Sequence, residues 1–117
     1  MQKLLILIAL LPSVVFALER IPPEQANSKI GQVATIRGKV SSAMHSTKSS
    51  NKPTFLNLGP AYPNQIFTVV IWDEQRSRFS YKPESLKGMN ICVTGKVFTY
   101  KGIAQIEPGS EKNITTY

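Results

Sequence analysis

Gly88–Glu107 (GMNICVTGKVFTYKGIAQIE) decides the class of fold. Ile91, Val93, Gly95 and Val97 fall on one face and Cys92, Thr94, Lys96 and Phe98 on the other, the period-2 pattern of a half-buried strand. Tyr100-Lys101-Gly102 makes a turn, and Ile103–Glu107 pairs back as a hairpin. Upstream, Ile66–Trp72 is dense in β-branched and aromatic residues and should be the most buried strand, with Phe67, Val69 and Ile71 inward. Thr54–Gly59 puts Leu56 and Leu58 on one side and Phe55 and Asn57 on the other, before Gly59-Pro60 and Tyr62-Pro63-Asn64 force a turn. In Gln32–Ser41, Ala34, Ile36, Gly38 and Val40 alternate with Thr35, Arg37, Lys39 and Ser41, so the polar face of this strand is cationic.

These five strands define an all-β domain, and a five-stranded Greek-key barrel accounts for them best. Gly38 and Gly95 suit tight bends where a small barrel closes, because a side chain there would clash across the coiled strand. Asp73–Lys87, between the third and fourth strands, is polar with Phe79 and Leu86 as anchors, and has room for a short helix or an irregular crossover. Ser42–Pro53 is read as a polar loop carrying Lys48, Lys52 and the lone His45, which is expected to be solvated.

The N-terminus follows a different grammar. Residues 1–17 (MQKLLILIALLPSVVFA) have Lys3, an apolar run from Leu4 to Leu11, Pro12 and a compact Val15-Phe16-Ala17, the pattern of a secretory signal peptide cut after Ala17. The run is too short for a span of about 20 apolar residues. Residues 18–29, with Pro22-Pro23, read as an extended lead-in, and 30–117 as the folded domain. The expected location is therefore exported, periplasmic or secreted, with no membrane attachment once the leader is gone.

Composition narrows the chemistry. The 117 residues allow one domain, and the hydrophobic share of 42% against 18% charged describes a folding chain. Lys and Arg outnumber acids by 14 to 7; the leader holds one lysine and no acid, so six of the seven excess charges stay with the domain. A single His, a single Cys and a single Asp leave too few groups for a zinc cluster, a nucleophile with its base, or a disulfide. Cys92 is expected to be a buried inert thiol in its strand. Asp73-Glu74 has no visible partner ligand and is not a metal site. No catalytic residue, metal or cofactor is expected. Asn113-Ile114-Thr115 matches a glycosylation acceptor, which matters only in a eukaryotic secretory route.

The ordered series Gly38-Lys39-Val40, Thr54–Gly59, Phe67–Trp72, Leu86-Lys87-Gly88, Val93–Val97 and Tyr100–Ile106 resembles OB-fold nucleic-acid-binding domains. The likeness is to those related to anticodon-binding domains and to the exported stand-alone OB domains of bacteria, over roughly residues 30–114. One departure is Gly59-Pro60-Ala61, where many relatives carry an acid after the second strand.

The resemblance implies binding of nucleic acid, single strands above all, by cations that track phosphates and rings on which bases stack. In the anticodon-binding relatives an aromatic residue at the start of the second strand stacks on a base, and Phe55 occupies that position, which the alternation independently turns outward. The candidate contacts are Phe55 with its outward neighbour Asn57, Trp72 as a second platform, Arg37, Lys39 and Lys96 on the outer strand faces, Lys48 and Lys52 in the first loop, and Lys101 on the hairpin. Tyr62, Tyr81 and Tyr100 are assigned to packing at the core edge. OB barrels also take proteins and oligosaccharides, so an exported module for a protein, a peptide or a small anionic ligand is the alternative, favoured if rings and cations do not converge on one face.

Overall fold

A computed structural model of the chain describes residues 19–117; the expected leader lies outside them. Seven strands run in chain order as β1 (Arg20–Ile21), β2 (Val33–His45), β3 (Thr54–Leu58), β4 (Phe67–Ile71), β5 (Asn90–Tyr100), β6 (Ile103–Ile106) and β7 (Ile114–Thr116). The order β2-β3-β4-β6-β5 closes through a β2–β5 pairing into a five-stranded barrel, with β4 and β6 parallel and the other closing pairs antiparallel. This is the all-β, five-stranded barrel expected from the alternation, with the OB-type architecture that the resemblance implies. β1 and β7 add to it as edge strands, β1 parallel to β2 and β7 antiparallel to β5.

Closure rests on β2. Its first part, Val33–Lys39, pairs with β5 and its last part, Val40–His45, with β3. A register shift between Val40 and Ser42 marks a bulge, and a bulge bends a strand and lets it pass from one sheet to another. Ser42–His45 is therefore strand and not loop, because β3 supplies partners for its backbone: Met44 faces Phe55 and His45 faces Thr54. His45 is half-buried with its Nε2 lacking a hydrogen-bond partner, a correction to its expected solvation.

The core is the inward phase of each strand. Ile36, Val40, Leu56, Leu58, Phe67, Val69, Ile71, Ile91, Val93, Val97 and Ile106 are fully buried, and each such side chain contributes about 1.5–3 kcal/mol of hydrophobic stabilisation. All of β4 is buried, as its composition predicts. Gly95 is required by closure, since a Cβ there would lie 2.6 Å from Ile106 Cγ2. Gly38 has a different reason: a Cβ would lie 3.0 Å from Pro23 Cγ, so this glycine makes room for the segment before the barrel.

That segment differs from the expected extended lead-in. Pro23–Lys29 is a 3-10 helix, entered at Pro23 where a helix tolerates proline, and it buries Pro23 and Ala26 against the barrel. The lead-in is thus part of the core through Ile21, which is also buried. The crossover holds a four-residue helix, α1 (Asp73–Arg76), and a 3-10 turn at Pro83–Leu86. Phe79 and Tyr81, an edge-to-face pair at 5.5 Å, pack on the core with Leu86.

One ion pair pins the crossover. The Arg76 guanidinium donates to both carboxylate oxygens of Glu84, with Nη2 to Oε1 at 2.7 Å, and Nη1 also donates to buried Thr54 Oγ1 at 2.7 Å. Hydrogen bonds from Arg76 lower the Glu84 carboxyl from 4.5 to about 2. A group depressed in the folded state stabilises above its unfolded value and loses that contribution as pH falls through the folded one. Between pH 4.5 and about 2 the wild type should therefore lose on the order of 1–2 kcal/mol more stability than Glu84→Gln, as read from urea midpoints.

Candidate binding cleft

The outer faces of the second half of β2, of β3, β4 and β6, and of the β5–β6 hairpin form a cleft of about 620 Å³. Its floor follows from register. Met44, Phe55 and Val70 make one row across β2, β3 and β4, and Ser42, Asn57, Thr68, Gln105 and Phe98 make the next, across five strands. Phe55 is half-buried and turned outward, while its neighbours Leu56 and Leu58 face the core.

The polar row is hydrogen-bonded internally. Thr68 Oγ1 donates to Asn57 Oδ1 at 2.7 Å, and Asn57 Nδ2 donates to Ser42 Oγ at 3.0 Å. Ser42 Oγ also accepts from the Tyr62 backbone N–H at 3.1 Å, which ties the β3–β4 loop to the cleft. Asn57 is buried, and its amide is committed to this row. Gln65, in the same loop, lines the cleft, with its Oε1 buried and without a hydrogen-bond partner.

Two further rings complete the lining. Tyr62 is 71% and Tyr100 58% exposed, so the expectation that they pack at the core edge does not hold for them. Tyr100 stands beside a two-residue turn, Lys101-Gly102, whose φ values of 50° and 79° are both positive; such primed turns match the twist of paired strands. The turn holds the Lys101 ammonium 5.4 Å from the Tyr100 ring centre. Lys101 is the only charged residue among those lining the cleft.

The other candidates lie elsewhere. Arg37, Lys39 and Lys96 project from the outer face where β2 pairs with β5, beyond the bulge from the cleft. Arg37 sits 4.8 Å from the centre of the Tyr117 ring, and Tyr117 raises its pKa. Lys48 and Lys52 are exposed in the β2–β3 loop, whose Asn51 carbonyl accepts from the Asp73 backbone N–H at 3.1 Å. Trp72 shares the outward phase of Val70 and Phe55 but lines a separate depression with Asn51, Asp73 and Glu74, and its Nε1 donates to Glu107 Oε1 at 2.9 Å. Rings and cations do not converge on one surface: Phe55 and Lys101 share the cleft, and Trp72 sits among acids.

Met44, Tyr62, Gln65, Thr68, Tyr100, Ile103 and Gln105 were not marked as contacts from sequence. The outward phase of Thr68 and Gln105 was available in the alternation of their strands; nothing local announced Tyr62 or Gln65, which a loop delivers. Cys92 is buried and unpaired, as expected. Among the described residues no group of three or more His, Cys, Asp and Glu could hold a metal ion, and no helix is long and apolar enough to cross a membrane.

Solved structures share this architecture. The asparaginyl-tRNA synthetase from Pyrococcus horikoshii superposes over 86% of this chain and 23% of its own, with a TM-score of 0.56 and 14% identity. The aspartyl-tRNA synthetase from Entamoeba histolytica does so over 90% and 22%, with a TM-score of 0.56 and 16% identity. The OBody AM1L10 bound to hen egg-white lysozyme matches over 88% of this chain and 97% of its own, at a TM-score of 0.55 and 12% identity. The chain is an OB-fold domain. It spans about a quarter of the synthetases, and at these identities the likeness is one of fold. No protein-family model and no curated protein matches the sequence.

The polar row has a consequence for the OB domain's stability. Asn57→Ala removes the acceptor of Thr68 and the donor to Ser42 inside the sheet, so it should destabilise by about 1–3 kcal/mol in urea unfolding. An unchanged midpoint would mean that the row contributes nothing.

Proposed function

We propose that this chain is an exported protein, periplasmic or secreted, that binds single-stranded nucleic acid through the Phe55 cleft and performs no chemistry. The observation that carries this reading is the grouping of three rings, Phe55, Tyr62 and Tyr100, with the side-chain amides of Gln65 and Gln105 in one cleft of the barrel. Flat rings stack on any base, at about 1–3 kcal/mol each, and side-chain amides hydrogen-bond base edges. Lys101 at the rim is placed to meet a phosphate, and the six excess positive charges outside the leader-like segment favour a polyanion. The cleft lining contains no carboxylate, imidazole or thiol, which supports binding without catalysis. The fold is shared with two enzymes named for tRNA. Export rests on the leader-like first 17 residues.

A second reading has its own support. Rings and cations are dispersed, the arrangement that favours the alternative; with Lys101 the only charge in the lining, the cleft also suits a neutral extended peptide, and an OBody, which shares the fold, is bound to lysozyme. Salt separates the two readings. Counterion release makes single-strand affinity fall with a slope of about −0.7 per phosphate contact, whereas a neutral peptide leaves no such slope.

The test is anisotropy of labelled oligothymidylate and oligouridylate against the purified protein. Phe55→Ala should weaken binding by about 1–3 kcal/mol. Lys101→Asn, which keeps a residue suited to positive φ, should flatten the slope by about 0.7. Absence of salt-sensitive binding at low ionic strength would remove the nucleic-acid reading; unchanged affinity of Phe55→Ala would remove the cleft as its site.

A further inference from the structure

The outer face across the β2 bulge from the cleft carries a second, purely electrostatic feature. Arg20 on β1, Arg37 and Lys39 on β2, and Lys96 on β5 are all exposed. Register brings them to one surface: Arg20 faces Thr35, Thr35 faces Thr94, and Lys96 faces Val33 on the same outward phase. β1, β2, β5 and β7 contain no Asp or Glu. None of the four cations is in an ion pair among the described residues.

We infer that this face is a phosphate track on which a nucleic-acid strand continues after leaving the cleft. The inference rests on the cleft reading and extends its footprint. β2 connects the two surfaces: Ser42 and Met44 line the cleft, and Lys39 stands outward just across the bulge. Three residues of strand span about 10 Å, so a chain leaving Ser42 meets Lys39 and then Arg37 within a few nucleotides. The chemistry of the face is that of a backbone contact. Its one aromatic ring, Tyr117, already lies against Arg37, so no free platform for a base stands there. Its exposed apolar groups are Val33 and that same Tyr117, too few to embed in a bilayer, where apolar insertion must accompany charge.

The experiment compares two probe lengths, oligothymidylates of about 4 and about 16 nucleotides, the ends of the range one such barrel covers. The protein is the wild type and the double variant Arg37→Gln/Lys39→Gln. The short probe should bind both proteins alike. For the long probe the variant should lose about 1.4 from the salt slope, so that its affinity falls about sevenfold less between about 50 and 200 mM salt. Lys96→Gln, at an exposed position outside any ion pair among the described residues, should lose about half that slope and guards against misfolding of the double variant.

An unchanged slope for the long probe overturns the track. Equal weakening of both lengths overturns it too, because the charges would then act as a general field. Binding of phosphatidylglycerol vesicles that the double variant abolishes, with the long-probe slope intact, would assign the face to a membrane and overturn the inference. Failure of the cleft reading is distinguishable: neither length would then respond to Phe55→Ala, and the continuation would fall with it.

Discussion

The barrel depends on a single strand that belongs to two sheets. β2 pairs with β5 before its bulge and with β3 after it, and without that transfer the β2–β5 contact could not close the cylinder. The same bend separates the two outer surfaces. Residues before it present Arg37 and Lys39, and residues after it present Ser42 and Met44 to the cleft. Closure also sets the small residues: Gly95 lies too near Ile106 for a side chain, and Gly38 leaves space for Pro23.

Positive charge and aromatic surface are therefore divided and not pooled. Tyr62 and Tyr100 stand around Phe55 with one ammonium, Lys101, while the outer face across the bulge carries arginines and lysines with almost no apolar relief. On the proposed reading, a cleft with one cation would owe most of its affinity for a single strand to stacking and amide contacts, and the cationic face would add most of the salt-sensitive part. Trp72, attractive from its phase alone, is held by Glu107 and flanked by Asp73 and Glu74, where repulsion would oppose a phosphate.

Much of the fold was legible because period-2 alternation is a strong signal where one face is buried. The inward sets of β3, β4 and β5 and the turn at Lys101-Gly102 follow from it directly. The end of β2 was not legible: Ser42–His45 opens a polar run that resembles a loop by composition, and only pairing with β3 makes it strand. The edge strands β1 and β7 were likewise hidden, since strands of two and three residues carry no period. At the site, Phe55 could be oriented from Leu56 and Leu58, and Asn57 shared its phase. That Asn57 is buried and bonded to Thr68 depends on cross-strand contacts no local pattern contains. Whether cations join the rings is a matter of curvature, which alternation does not encode.

Amide chemical-shift mapping during titration with a short oligothymidylate tests the central claim most directly. Saturable shifts should begin at Phe55, Asn57, Gln65, Thr68, Tyr100, Lys101 and Gln105, the residues around the cleft. Shifts confined to Asn51, Trp72 and α1, or no saturable shift at all, would contradict it.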